Sequence, residues 1–338
     1  MSTKSDVLRA LMECDEAISG ERLARRLGVT RNAVWKAMGQ LREEGYGIEA
    51  VTNRGYRLVS APDRVTEAEI LRSLATQTLG RRMEVHVQLD STNKRAKRLA
   101  AQGAPHGTLI CADSQTAGRG RFGRTFFSPE HSGVYVSYIL RPRLPAERAV
   151  MITSMAAVAV ARAIEALADV DVKIKWVNDL YIGGRKVCGI LCEASMDFES
   201  GQLEYVVLGI GVNVARMDFP EDLAGIATSV GNECDRAVSR SRLIAEISNQ
   251  LEALYGHLET GEFMAENRAR SIVIGRDVTV LRGGEQFEAH AVDIDAQGRL
   301  VIRTASGLSR VGAGEVSLKL TPPERDDEGR ASGTSAEK

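Results

Sequence analysis

The stretch from Ser114 to Ser128, SQTAGRGRFGRTFFS, constrains this chain more than any other. Gly118, Gly120 and Gly123 fall within six residues. Glycine loses more backbone freedom on ordering than any other residue, so neither a stable helix nor a strand can run through them. The stretch also carries Arg119, Arg121 and Arg124 and no acidic residue. It is a loop bearing three guanidinium forks, which suit carboxylate or phosphate oxygens. Such a loop is expected to be mobile when empty and to order over an anionic ligand. The alternative is a solvated basic loop, so the neighbouring segments must supply its partners.

A chain of 338 residues has room for two or three domains. Its net charge is −1, so binding to nucleic acid or membrane would need a local patch. No apolar run reaches the length of a membrane span, and MSTKSDVLRA has no signal-peptide core. The expectation is a cytoplasmic protein without membrane contact. Five cysteines, an odd number without a CxxC pair or nearby histidines, read as reduced thiols packed mostly in a core. No dedicated metal site is expected.

The first sixty residues carry their own pattern. Val7, Leu8, Leu11 and Met12 form a helical apolar stripe. Ser19 caps a second helix, Gly20–Leu27, and Gly28-Val29-Thr30 is a tight turn into a third helix that runs to about Glu44. Residues 20–39 thus read as a helix-turn-helix, with Arg31, Asn32, Trp35 and Lys36 on the third helix as base- and phosphate-reading candidates. Two short strands around Thr52-Asn53-Arg54-Gly55 make a wing tipped by Arg54. With ten Lys/Arg against eight Asp/Glu over residues 1–60 the segment is only weakly basic. DNA binding as a dimer, or protein contacts, both fit. Ser60-Ala61-Pro62-Asp63 is a short linker.

The middle of the chain reads as strands and helices that converge on the loop. A strand at Val85–Leu89 leads through Asp90-Ser91-Thr92-Asn93 into a helix to Ala101. Ser91 or Thr92 can cap that helix, and the same polar groups can meet a ligand. Strands follow at Thr108–Ala112 and Val134–Leu140, then an apolar helix at Ala149–Leu167. A strand at Val172–Trp176 leads to Asn178-Asp179, and Gly183-Gly184 turns the chain into a strand from Arg185 to Glu193. Alternation places Lys186, Cys188, Ile190 and Cys192 on one face, where Lys186 needs Asp179, Glu193 or a ligand's anion as partner. Gly189, Gly209 and Gly211 leave bare backbone for a flat ligand.

These motifs, STN at 91–93, Gln115, GRGRFGR at 118–124, KWVNDLY at 175–181, GRKVCGILCE at 184–193 and GIGVNV at 209–214, resemble those of biotin–protein ligases. With the helix-turn-helix ahead of them, the resemblance is to the bifunctional form, which is also the biotin operon repressor. It covers roughly residues 5–320. The resemblance implies an α+β chain with four segments. They are a winged helix-turn-helix at 1–60, a mixed-sheet ligase domain at 65–270, a segment at 271–320 whose short alternating strands and turns at Gly283-Gly284 and Ala296-Gln297-Gly298 read as an SH3-like barrel, and a tail at 321–338 that reads as disordered from its charge and lack of large apolar residues. It implies ATP with Mg²⁺, formation of biotinyl-5′-AMP, and transfer of biotin to a lysine of the biotin carboxyl carrier protein of acetyl-CoA carboxylase.

It also implies residue roles. Lys186 contacts the biotin carboxylate and the phosphate, and Arg121 and Arg124 close over the adenylate. Ser91, Thr92, Asn93 and Gln115 hold the polar end of biotin, under the Arg119–Gly120–Arg121 backbone. Gly189 and Gly209 line the ring system. Asp179 binds Mg²⁺–ATP or orients the acceptor lysine, and Asn213 lies near the nucleotide. As corepressor, the adenylate would favour a homodimer on operator DNA. Two departures are Val177, where the family usually has proline, and Phe126, where it has tryptophan. Neither removes a charge. A ligase without repressor function, a lipoate or octanoate ligase, and a ligand sensor without catalysis remain as alternatives. The glycine-arginine loop argues against the lipoate reading, and the intact Lys186 against the sensor.

Overall fold

The computed structural model describes residues 3–320 apart from 15, 44, 52, 53, 61, 62, 197, 198, 200, 283, 284 and 313–315. The expected wing tip at Thr52-Asn53, the Ala61-Pro62 linker, the Gly283-Gly284 turn and the tail at 321–338 lie outside the described residues. The chain divides into two compact units, Met1–Arg64 and Val65–Lys338, each described by itself.

In the first unit, helices α1 (Thr3–Met12), α2 (Gly20–Leu27) and α3 (Arg31–Glu43) precede an antiparallel pair, β1 (Gly47–Val51) and β2 (Gly55–Ser60). Local chemistry dictates the turn between α2 and α3. Ser19 accepts a hydrogen bond from the Arg22 amide, and Gly28 ends α2 in the left-handed region at φ 65°. Thr30 then accepts from the Ala33 amide at the start of α3. Leu11, Leu23, Val34, Met38 and Leu41 close a small separate core.

The second unit begins with α4 (Glu67–Ser73), capped by Thr66, followed by β3 (Met83–Leu89), α5 (Thr92–Ala101), β4 (Leu109–Gln115) and β5 (Gly133–Leu140). Next come α6 (Ala149–Glu165), β6 (Lys173–Lys175), β7 (Asp179–Ile182), β8 (Arg185–Met196) and β9 (Leu203–Asn213). The seven strands order as β3-β4-β5-β9-β8-β7-β6, with β3 and β4 parallel and the other pairs antiparallel. The short α7 (Val230–Glu233), then α8 (Arg240–Tyr255) and α9 (Met264–Ala269), follow.

Strand β5 is buried along its whole length because both sheet faces are covered. On one face, α6 and α8 pack into the main core, where Tyr138 Oη and Ser248 Oγ lie 2.8 Å apart. On the other, Ala96 and Ala100 of α5 pack on Ile110, Ile139 and Val207. The apolar character of α6 all round follows from this burial, with Met151 through Ala161 all buried.

The last strands, β10 (Asp277–Arg282), β11 (Glu285–Ile294), β12 (Leu300–Thr304), β13 (Gly307–Val311) and β14 (Val316–Leu320), form an antiparallel sheet in the order β13-β12-β11-β10-β14. Pairing of β13 with β14, which would close a barrel, is not among the pairings of the described residues. The Trp176 indole donates to the Gly298 carbonyl at 3.0 Å and ties this sheet to the strand leading into Asn178.

Arg240, the first residue of α8, is fully buried. Its guanidinium donates to Asp113 Oδ1 of β4 at 2.5 Å and so holds the helix against the sheet. Removing one partner of a buried pair leaves the other charge without its counter-ion, at about 3–5 kcal/mol. Asp113→Ala is therefore expected to lower the stability of the second unit by that order, while Arg240→Met costs less. Urea denaturation followed by far-UV circular dichroism checks both.

Candidate functional site

Residues from six segments line one cleft at the centre of the seven-stranded sheet. The first is the β3–α5 junction. Ser91 occupies the N-cap position without a side-chain capping bond, and its hydroxyl belongs to the cleft lining. The Thr92 amide and hydroxyl both donate to Gln115 Oε1, at 2.9 and 3.2 Å. Gln115 Nε2 in turn donates to Ser128 Oγ at 3.0 Å, so one side chain joins the start of α5 to the far end of the arginine loop. Ser137 Oγ of β5 donates to Asn93 Oδ1 (2.6 Å) and lies 2.8 Å from Thr92 Oγ1.

The loop itself folds as a small hairpin. Gly120 donates to the Arg124 carbonyl at 2.7 Å, Phe126 donates to the Gly118 carbonyl, and Arg119 bridges Thr125. A turn at Arg121–Gly123, with Phe122 in the left-handed region at φ 55°, makes the tip. Arg121 reaches inward, where its Nη1 donates to Asn178 Oδ1 at 3.1 Å. Burial pulls the Arg121 pKa below its ordinary value, and nearby Asp179 opposes that shift.

Glycines make room under the loop. Gly189 of β8 and Gly211 of β9 are paired in register. The Phe126 ring lies on both, such that a Cβ at Gly211 would sit 2.6 Å from the ring and one at Gly189 3.2 Å. A Cβ at Gly209 would lie 2.0 Å from Asn93 Oδ1. The backbone is bare here because aromatic and amide side chains need its surface.

Cations gather around one carboxylate. Lys186 Nζ lies 2.7 Å from Asp179 Oδ1, an ion pair out of hydrogen-bond alignment, so this buried oxygen has no aligned donor among the described residues. Lys175, Arg121 and Arg124 line the same cleft. Burial lowers the Lys175 pKa; Asp179 raises it, and the charges of Lys186 and Arg124 lower it further.

Alternation along β8 fails at Lys186, and the expected shared face with Cys188 and Ile190 is corrected. The β7–β8 register slips at Val187, and this bulge reverses the parity of the side chains. The Lys186 ammonium instead sits 3.3 Å from where a Gly189 Cβ would be, on the cleft side, while Val187 and Cys188 enter the core. Of the two carboxylates available to it, Lys186 meets Asp179. Glu193 holds Lys97, Arg119 and Asn93.

The structure brings Ser91, Thr92, Asn93, Gln115, Arg119, Gly120, Arg121, Arg124, Asp179, Lys186, Gly189 and Gly209 into this one cleft. Asn213 is not among its lining residues: its amide donates to the Thr228 carbonyl, and the side chain is buried. Sequence reasoning missed Lys175, Asn178 and Ser137. The first two lie inside KWVNDLY, and Ser137 is a lone hydroxyl within the apolar run VYVSYIL.

In the first unit, Arg31, Asn32 and Trp35 line a shallow groove with Tyr56, and Trp35 is 66% exposed. Lys36 and Arg54 are exposed nearby in sequence but are not part of that lining. The apolar face of α3 points the other way, into the core.

Residues 85–213 match the Biotin/lipoate A/B protein ligase family, residues 3–57 an HTH domain, and residues 273–319 the Biotin protein ligase C terminal domain. Biotin protein ligase from Aquifex aeolicus in complex with biotin and ATP superposes with a TM-score of 0.62 at 27% identity, over 71% of this chain and 100% of that one. The bifunctional ligase/repressor BirA of Bacillus subtilis is 39% identical over 90% of this chain and 94% of its own length. A biotin–[acetyl-CoA-carboxylase] ligase of Mycobacterium tuberculosis is 34% identical over 72% of this chain and 94% of its own. The chain belongs to the biotin protein ligases, in their bifunctional ligase/repressor form.

Gly209→Ala is expected to displace the Asn93 amide and to lower the stability of the second unit by about 1–3 kcal/mol, the worth of one or two hydrogen bonds. Urea denaturation followed by far-UV circular dichroism measures this.

Proposed function

We propose that this cleft activates biotin with ATP and hands it to a lysine of the biotin carboxyl carrier protein of acetyl-CoA carboxylase. A biotin carboxylate oxygen attacks the α-phosphorus, the bond to the β-phosphate oxygen breaks, and biotinyl-5′-AMP and pyrophosphate result. The carrier's lysine amine then attacks the acyl carbon; AMP leaves, an amide forms and the amine loses a proton. The observation that carries this reading is the pairing of two chemistries in one cleft. Ser91, Thr92, Asn93 and Gln115 offer hydroxyls and amides, and Lys175, Lys186, Arg121 and Arg124 line the same cleft together with Asp179.

The first step joins two anions, so fixed positive charge is its main requirement. Lys186 is the cation best placed to contact both the carboxylate and the phosphate. Arg121 and Arg124 close over the adenylate, and the Arg119–Gly120–Arg121 backbone covers biotin. Gly189 and Gly209 leave space for its rings. Asn213 acts from behind, by holding Thr228 next to the Lys186 strand. The open lone pair on Asp179 Oδ1 suits a Mg²⁺ carried by ATP or the ammonium of an incoming lysine. Among the described residues no three His, Cys, Asp or Glu side chains group as a metal site, so Asp179 would share Mg²⁺ with the nucleotide's phosphates. Bound there, the ion would neutralise phosphate charge.

The exposed Arg31, Asn32, Trp35 and Lys36 of α3, with Arg54 of the wing, support operator binding. In this reading biotinyl-5′-AMP is also the corepressor and favours the homodimer that a two-fold operator requires. The full chain is assigned to the cytoplasm, where both its carrier protein and its operator would reside.

ATP–pyrophosphate exchange with biotin, lipoate and octanoate tests the reading. Exchange with biotin alone supports it, exchange with lipoate reassigns the acid, and no exchange with any acid removes the enzyme. Arg121→Gly releases the loop from Asn178; biotinyl-5′-AMP should dissociate faster and biotinylate lysines indiscriminately. An unchanged off-rate would refute the lid role. Arg31→Ala or Asn32→Ala should lose about 1–3 kcal/mol of affinity for DNA from the biotin synthesis promoter, with ligation intact. Gel-shift titration alongside a carrier biotinylation assay separates the two functions.

A further inference from the structure

Glu193 lies in β8, two residues beyond Leu191 of the cleft lining, and has been assigned no role so far. Its side chain is 17% exposed. Oε2 accepts from Asn93 Nδ2 at 3.0 Å. Oε1 faces two cations from different elements, Lys97 Nζ of α5 at 2.6 Å and Arg119 Nη1 at the root of the arginine loop at 3.4 Å. Burial works to raise the Glu193 pKa, but the Lys97 and Asn93 hydrogen bonds prevail and hold it below the usual carboxylate range.

Asn93 cannot adapt to a different partner. Its Oδ1 accepts from Ser137 and lies against the bare backbone of Gly209, and its Nδ2 donates to the Leu191 carbonyl at 3.3 Å as well as to Glu193, which fixes the amide with its nitrogen toward β8. Position 193 must then offer an acceptor on both sides, one to an amide nitrogen and one to two cations. Among uncharged isosteres none does so. A glutamine there either turns its own NH₂ toward Lys97 and Arg119 or turns it toward Asn93 Nδ2, and one contact fails in both cases.

We propose that Glu193 is a positioning residue for adenylate formation. A single carboxylate sets the Asn93 amide at the polar end of the cleft and anchors Arg119, so that the acid's seat and the root of the lid are assembled together. Glu193 touches neither substrate in this account and acts through Asn93 and Arg119. The proposal rests on the biotin–ATP reading of the cleft.

The test uses the full-length chain and the variants Glu193→Gln, Arg119→Met and the double variant, with biotin, ATP and labelled biotinyl-5′-AMP as probes. Pyrophosphate exchange by the wild-type chain is measured first; its absence would remove the functional reading itself, independently of Glu193. With exchange present, Glu193→Gln should raise KM for biotin and the adenylate off-rate about tenfold each while KM for ATP moves less than twofold. A merely structural role would lower the Tm and degrade both KM values alike. In the cycle, Arg119→Met should add little to the off-rate once Glu193 is glutamine, because the two act as one unit. An off-rate within twofold of wild type in Glu193→Gln, or effects of the two substitutions that simply multiply, would overturn the proposal. Should Glu193→Gln fold poorly, Arg119→Met and Lys97→Met read the same anchor from its two cationic sides: the first should raise the off-rate, and a wild-type value in both would equally refute it.

Discussion

A patch of sheet without side chains is the constraint on which this cleft depends. Gly189 and Gly211 face each other across β8 and β9, and Gly209 lies two residues along the same strand. The surface they leave is claimed at once by Phe126 from the loop and Asn93 from α5. Each of these residues is in turn held by others, Asn93 by Ser137 and Glu193, and the loop by its own backbone bonds and Arg121. Loop, helix and sheet therefore meet at a surface that any Cβ would push apart.

Charge is arranged with the same economy. Lys175, Lys186, Arg121 and Arg124 line the cleft with Asp179 as the carboxylate among them. Without an anionic ligand, such a cluster is held together against its own repulsion by the fold around it. That cost is recovered when an anion arrives, because preformed cations need no reorganisation at the moment of reaction. The lowered pKa values of Arg121 and Lys175, both caused first by burial, express the same tension.

The sequence was informative where local chemistry decides the outcome. Ser19, Gly28 and Thr30 announce the ends of α2 and α3, and each makes the expected turn or cap. The glycines and arginines of residues 118–124 announce a loop, and the residues brought to it are those whose spacing matched the ligase motifs. What could not be read are features set by tertiary contacts. The bulge at Val187, which turns Lys186 into the cleft, depends on β7 on one side and on residues 226–228 on the other. Helix α4 has a recognisable Thr66 cap, but its stripe is short and only Ile70 is buried. Asn213, which the family resemblance puts near the nucleotide, is the last residue of β9, and its amide donates to the Thr228 carbonyl.

The indole bond from Trp176 to the Gly298 carbonyl has a consequence for how the C-terminal sheet is viewed. Gly298 is the buried residue of a turn stapled by Asp295, which accepts from the amides of Gln297 and Arg299. Two residues beyond Trp176 is Asn178, the partner of Arg121, and one further is Asp179. A turn in one sheet, through its buried glycine, thus braces the strand that carries a carboxylate in another. The C-terminal sheet is in this sense part of the cleft's foundation, and a length change between Asp295 and Arg299 would be felt first in the chemistry.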